Sequence, residues 1–141
     1  MSEKKYQAKL DLRIDWSELD LFGHVNNVSF FKYIQASRLH YWEQVGISQL
    51  YPKHKIGPML ASSRCEFKRP LYYPGNIRIY SRIDFIKNSS FGICHAIYNQ
   101  DDKLAAAAFD TLVLFDFNSE TKVEIPQEIR GNIEGLELQR P

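Results

Sequence analysis

At 141 residues and 16.5 kDa, with 44% hydrophobic residues, the chain is sized for one domain with a substantial core, which excludes a disordered or low-complexity protein. A formal charge of +1 gives no electrostatic reason to expect nucleic acid or an acidic membrane as the main partner. Met1 to Tyr6 has no apolar leader core, and no later stretch approaches the roughly 20 apolar residues of a membrane span, so a soluble cytoplasmic protein is expected.

Residues 7–16 alternate, with Ala8, Leu10, Leu12, Ile14 and Trp16 on one side and Lys9, Asp11, Arg13 and Asp15 on the other, which predicts a strand with one wet face. From 28 to 45 the period lengthens. Phe30, Phe31, Ile34, Tyr41 and Val45 recur at helical intervals, Asn26 or Asn27 offers an N-cap, and Gly46 offers a stop. This is the one long helix expected. Strands are then predicted over 59–67, 76–86, 91–98 and 104–117, with turns at 70–75, 87–90 and 100–103. The run Ala105 to Ala108 has helix propensity, but Phe109, Thr111, Val113 and Phe115 alternate directly after it, so it reads as strand under a closely packed element. No linker divides residues 1–141, and 126–141 reads as a polar, loosely held tail. Cys65 and Cys94 fit neither a metal spacing nor a disulfide framework and read as free thiols.

One strand, one long helix and four more strands predict an α+β fold, an antiparallel sheet of about five strands covering a single helix. Such a layer leaves sheet edges to be managed, which favours pairing with a second copy.

The chemistry-bearing feature is Asp20-Leu21-Phe22-Gly23-His24-Val25, running into Asn26-Asn27. It sets a carboxylate just before a helix start, where free N–H groups and a partial positive charge can polarise a carbonyl or hold an anion. The whole stretch from Arg13 to Asn27 resembles the signature of the 4-hydroxybenzoyl-CoA thioesterase-like branch of the hotdog-fold superfamily. Ala36-Ser37-Arg38, Phe67-Lys68-Arg69-Pro70, Tyr73-Pro74-Gly75-Asn76 and Pro126-Gln127-Glu128 extend the likeness over nearly the whole chain.

The resemblance implies a sheet wrapped around the long helix, two sheets joined edge to edge in a homodimer or homotetramer, and sites at the subunit interface. It implies hydrolysis of a thioester of coenzyme A or acyl carrier protein, with no cofactor and no metal. Asp20 takes the position of the catalytic acid, acting as nucleophile or as general base for water. Glu18 stands where relatives usually carry an aspartate, so its charge is kept and its reach differs. A second hotdog layout takes its carboxylate from within the helix, but here that position is Gln35, and Glu43 lies far from the positive end.

Gly23 would permit close approach, and a backbone amide near Gly57 would supply a further donor by the same resemblance. His24 is a candidate general base or a hydrogen-bonding brace, and Asn27 a cap or an orienter of water. Ser62 and Ser63 lack a nucleophile-elbow context and read as strand hydroxyls. Arg64, Lys68, Arg69, Lys87 and Arg130 are candidate phosphate contacts, with Lys87, Ser89 and Ser90 on their hairpin preferred. Phe30, Phe31, Tyr33, Tyr41 and Trp42 read as core or as acyl-pocket wall. Three function classes stand at this point: a thioesterase, a hotdog hydratase or dehydratase, and a thioester-binding protein without turnover.

Overall fold

The first alternation is realised as β1 (Ala8–Arg13) in a computed structural model that describes residues 8–138. Gln7, the start from Met1 to Tyr6 and the end of the expected tail, 139–141, lie outside the described residues. The strand stops short of Trp16 because Asp15 turns the chain. Its carboxylate accepts the Ser17 N–H at 3.0 Å and caps a 3-10 turn over Trp16–Glu18, which leaves Trp16 71% exposed.

Helix α1 (Asn27–Val45) begins at Asn26, whose Oδ1 accepts the Ser29 N–H at 2.7 Å, and ends at Gly46 in the left-handed conformation, φ 86°. Its buried face carries Phe30, Tyr33, Ile34, Tyr41, Trp42 and Val45, together with the polar Ser29 and Ser37. Phe31 falls on the outward side, one step past the buried stripe. A 3-10 turn (Ile47–Gln49) and the short α2 (Leu50–His54) lead to β2 (Ile56–Phe67), which starts earlier than its pattern suggests and takes in Gly57.

β3 (Asn76–Ile86), β4 (Ser90–Asn99) and β5 (Leu104–Asp116) follow within a residue or so of their predicted bounds. A two-residue β6 (Thr121–Lys122) adds to β5. The sheet is antiparallel throughout, in the order β1-β3-β4-β5-β2, so β2 is an edge strand. Phe30, Tyr33 and Ile34 pack with Ile77, Ile79, Ile97 and the alanines 105, 106 and 108, whose small side chains let the helix sit close to the sheet. Farther along α1, Tyr41, Trp42 and Val45 pack with Phe91, Ile93, Leu112 and Leu114. The result is the hotdog arrangement, a curled antiparallel sheet around one long helix.

The expected loose tail is instead α3 (Gln127–Leu138) over its described part. Ile125, Ile129, Ile133 and Leu136 recur at helical spacing, and this narrow stripe buries Ile129 and Ile133 against the Tyr41 end of the core. Tyr41 donates its hydroxyl to Glu137 at 2.7 Å. Surrounding polar residues and two glycines, Gly131 and Gly135, mask that stripe on composition alone.

One strand position requires glycine for space. A Cβ on Gly92 would stand 2.3 Å from Cε1 of Phe85, its cross-strand partner, whose ring lies over the bare backbone. Gly92→Ala is therefore expected to destabilise the fold by about 1–3 kcal/mol, measured by urea denaturation, because the ring must swing off the strand.

Candidate active site

The loop between β1 and α1 is shaped by Asp20. Its Oδ1 accepts the backbone N–H groups of Phe22 at 2.8 Å and His24 at 3.1 Å, and its own N–H donates to the His24 carbonyl at 2.7 Å. Oδ2 has no hydrogen-bond partner among the described residues, and the side chain is exposed. The turn closes with the Gly23 N–H on the Asp20 carbonyl at 3.2 Å. Gly23 sits at φ 80°, and a Cβ there would meet nothing within 4 Å, so its requirement here is conformational.

Asp20, His24 and Asn27 line one cleft of about 330 Å³, walled by Val25, Phe30, Phe67 and Pro70 and edged by Lys68 and Arg69. Phe67 crosses the Phe30 ring edge-on at 5.1 Å, and His24 meets Tyr72 in the same way at 5.0 Å. The first turn of α1 opens into this space. The N–H of Ser29 is taken by the Asn26 cap, while those of Asn27 and Val28 have no acceptor among the described residues. A carboxylate with one unpartnered oxygen, the first residue of α1 with its N–H free, an apolar wall and a rim of Lys68 and Arg69 therefore share one cleft. This arrangement suits a carbonyl that becomes an oxyanion beside a bulky acyl group and an anionic carrier.

The other candidates lie at the far end of the sheet. Gly57 is a buried β2 residue opposite Phe115, whereas Phe67 of the cleft is opposite Ala106, a separation of roughly 33 Å along the strand. Lys87, Ser89 and Ser90 share the Gly57 end, since Ser90 pairs with Val113 and Met59 pairs with the same residue. Their hairpin is pinned: Arg130 donates to the Lys87 carbonyl at 2.8 Å, and Lys87 lies over the Phe85 ring at 5.2 Å. Arg64 stacks on Phe109 at 4.5 Å. Of the five cations, Lys68 and Arg69 are the two that reach the Asp20 cleft. No local pattern singles them out, because only the register of β2 brings that strand's end beside the loop.

Glu18 does not enter the cleft. It is 8% exposed, and its Oε1 accepts both the Asp15 N–H at 2.8 Å and the Tyr33 hydroxyl at 2.7 Å. Burial, with the Glu18 carboxylate holding its proton, pushes the Tyr33 hydroxyl well above the usual phenol range, so it stays a donor.

A second polar cluster lies under the middle of α1. Asp110 accepts Arg38 Nη1 at 2.9 Å and His95 Nε2 at 2.8 Å on one oxygen, and the Ser63 hydroxyl at 2.6 Å on the other. Because the carboxylate only accepts, His95 carries its proton on Nε2, and Nδ1 accepts the Ser37 hydroxyl at 2.8 Å. Burial holds His95 below its ordinary range, hence neutral. Burial alone would raise Asp110, but His95, Ser63 and Arg38 outweigh it and hold the carboxyl below the usual range. The order hydroxyl, imidazole, carboxylate matches an activated serine, yet Ser37 and His95 are each 1% exposed and face packed interior. The cluster fastens helix to sheet. Burial pushes the Cys65 and Cys94 thiols up to about 11, which keeps both protonated.

Long-chain acyl-CoA thioesterase FadM of Escherichia coli is 20% identical over 126 residues, covering 89% of this chain and 96% of FadM. Uncharacterized protein YsmA of Bacillus subtilis is 29% identical over 77 residues, 55% of this chain, which spans about half (51%) of that protein's length. A solved thioesterase from Thermus thermophilus, complexed with coenzyme A and Zn, has the same fold: TM-score 0.84 at 22% identity, covering 96% of this chain and 97% of that one. The thioesterase-like superfamily matches residues 14–133, a span that takes in the Asp20 loop, α1, all of β2 to β6 and most of α3, and the chain belongs to that superfamily.

Proposed function

We propose that this protein hydrolyses acyl thioesters of coenzyme A, or of acyl carrier protein, to the free acid and thiol, within the 4-hydroxybenzoyl-CoA thioesterase-like branch of the hotdog superfamily. The observation that carries the reading is the Asp20 carboxylate, which lines the cleft beside the first turn of α1 and is fixed through one oxygen by two backbone N–H groups, the other oxygen having no partner among the described residues. The thioester carbonyl lies against the free N–H groups of that turn, each well-placed donor being worth about 3–4 kcal/mol to the oxyanion in other enzymes. The open oxygen of Asp20 attacks the carbonyl carbon to give a mixed anhydride that water then cleaves, or takes a proton from the water that attacks. In both routes the C–S bond breaks and the thiolate leaves with the sulfur electron pair, later gaining a proton. His24 braces the loop and Asn27 orients the acyl carbonyl or the water.

The same reading makes the working unit a homodimer, or a homotetramer of two such pairs, in the cytoplasm. β2 is a twelve-residue edge strand with Met59, Leu60 and Phe67 exposed, which two copies can cover by pairing antiparallel across a two-fold axis. Such pairing reverses β2, so Gly57 and the Lys87–Ser90 hairpin of the partner subunit come toward the Phe67 end and its cleft. Such a dimer would bring together candidates that stand apart within one chain. The test is thiol release across an acyl-CoA panel running from short to long and aromatic acyl groups. Turnover of at least one class is expected; thioester binding with no thiol release from any member would reduce the protein to a binder.

A further inference from the structure

We propose that Glu18 and Tyr33 form a positioning pair that sets where the Asp20 carboxylate stands against the first turn of α1, an inference that rests on the reading of Asp20 as the catalytic carboxylate. The loop is otherwise exposed at Asp15, Trp16, Ser17, Asp20, Leu21, Phe22 and Gly23, yet Glu18 within it is buried, and a buried carboxylate is costly unless donors satisfy it.

A simple turn cap would need only the Asp15 N–H, which closes a capping box with Glu18. The Tyr33 hydroxyl on the same Oε1 does something else: it comes from the second turn of α1 and ties the loop to the body of the helix. The Glu18 carbonyl also accepts the N–H of Asn26, the α1 cap, at 2.9 Å. One residue thus fixes the start of the loop, the helix cap and the helix side. The neighbouring pair Leu19 and Val25 bridges the loop just above, and Asp20 follows directly. The Lys32 contact to Glu18, 3.6 Å from a 63% exposed side chain, adds little beside these. With the tether cut, the loop can shift relative to the helix, and an error of about 1 Å in a reacting group can lower a rate on the order of 100-fold.

The experiment compares Tyr33→Phe, Glu18→Ala and Glu18→Gln in the full chain, with Asp20→Asn as reference. Tyr33→Phe keeps the ring among its neighbours and serves if Glu18→Ala fails to fold. Tyr33→Phe and Glu18→Ala are expected to lower kcat about 10- to 100-fold with KM within about twofold, since the tether places the reacting carboxylate and lies outside the cleft that holds the substrate. Glu18→Gln, whose amide oxygen still accepts from Tyr33 and Asp15, is expected to recover most of kcat, and the Glu18→Ala/Tyr33→Phe double variant to be no slower than Glu18→Ala. Amide hydrogen exchange at His24 and Asn26 is expected to quicken about tenfold in Tyr33→Phe, while the β3–β4 ladder is unchanged. Unaltered kcat and unaltered exchange in Tyr33→Phe would overturn the pairing, as would a Glu18→Gln protein as slow as Glu18→Ala. Failure of the underlying reading shows separately, as full activity in Asp20→Asn, and the exchange measurement still decides the tether.

Discussion

Asp110→Ala is expected to remove about 3–5 kcal/mol of folding free energy in urea denaturation, more than the loss expected for Gly92→Ala. The reason is the asymmetry of buried charge. Asp110 is the shared acceptor for Arg38, His95 and Ser63, and its side chain is fully buried while that of Arg38 is 13% exposed. The alanine leaves a guanidinium with little access to water and two neutral donors without an acceptor, so the loss reflects stranded groups more than the worth of the ion pair itself. A loss under about 1 kcal/mol would mean that water enters beneath α1 and rehydrates them.

The same cluster gives the fold a pH dependence with a definite sign. His95 is held neutral, below its ordinary range, so between its folded and unfolded values the unfolded chain binds the extra proton. The stability it contributes is complete above the unfolded value near 6.5 and is lost as pH falls through the folded one. Asp110, also held low, adds a second loss at more acid pH, below its ordinary value near 3.8. The groups facing His95 are Ser37 from α1 and Asp110 from β5, with Arg38 behind the carboxylate; none offers a new anion to a charged imidazole. Thermal unfolding is therefore expected at a lower temperature at about pH 5 than at about pH 7, with a shallower slope over that interval in His95→Gln. An unchanged midpoint across that interval in the wild type would contradict a neutral His95.

Period and cap were the legible parts of this chain. The helix from Asn27 to Val45 shows in the spacing of Phe30, Ile34, Tyr41 and Val45, in Asn26 and in Gly46, because each answers a local need of the backbone. β3 to β5 show in their alternation for the same reason. α3 was hidden because its stability comes from packing two isoleucines on a distant part of the chain, which propensity does not register. Ser37 and Arg38, His95 and Asp110 come from three separate stretches of the chain, and only the strand register and the helix phase bring them within hydrogen-bond reach. The position of Asp20 before the helix was readable, whereas its one free oxygen was not, since that depends on how the turn takes up the other. Nothing local sets Lys68 and Arg69 apart from the other cations, and the distance of Gly57 and the Lys87 hairpin from the Asp20 cleft follows from sheet register, which no local pattern carries.

Asp20→Asn is the sharpest probe of the chemistry because it separates charge from shape. The asparagine oxygen can still accept the N–H groups of Phe22 and His24, so the turn and the cleft are expected to persist, while the nucleophile or base is gone. A positioned general base or nucleophile contributes typically about 10²- to 10⁴-fold, and a loss of that size in kcat is expected with substrate binding and thermal midpoint nearly unchanged. Residual turnover would come from the α1 donors, which the substitution does not touch. The deciding measurement is the rate of thiol release by wild type and Asp20→Asn, side by side on the acyl-CoA that the wild type turns over best. A fall of at least about 100-fold is expected in the variant; equal rates in a folded Asp20→Asn protein would contradict a catalytic role for Asp20.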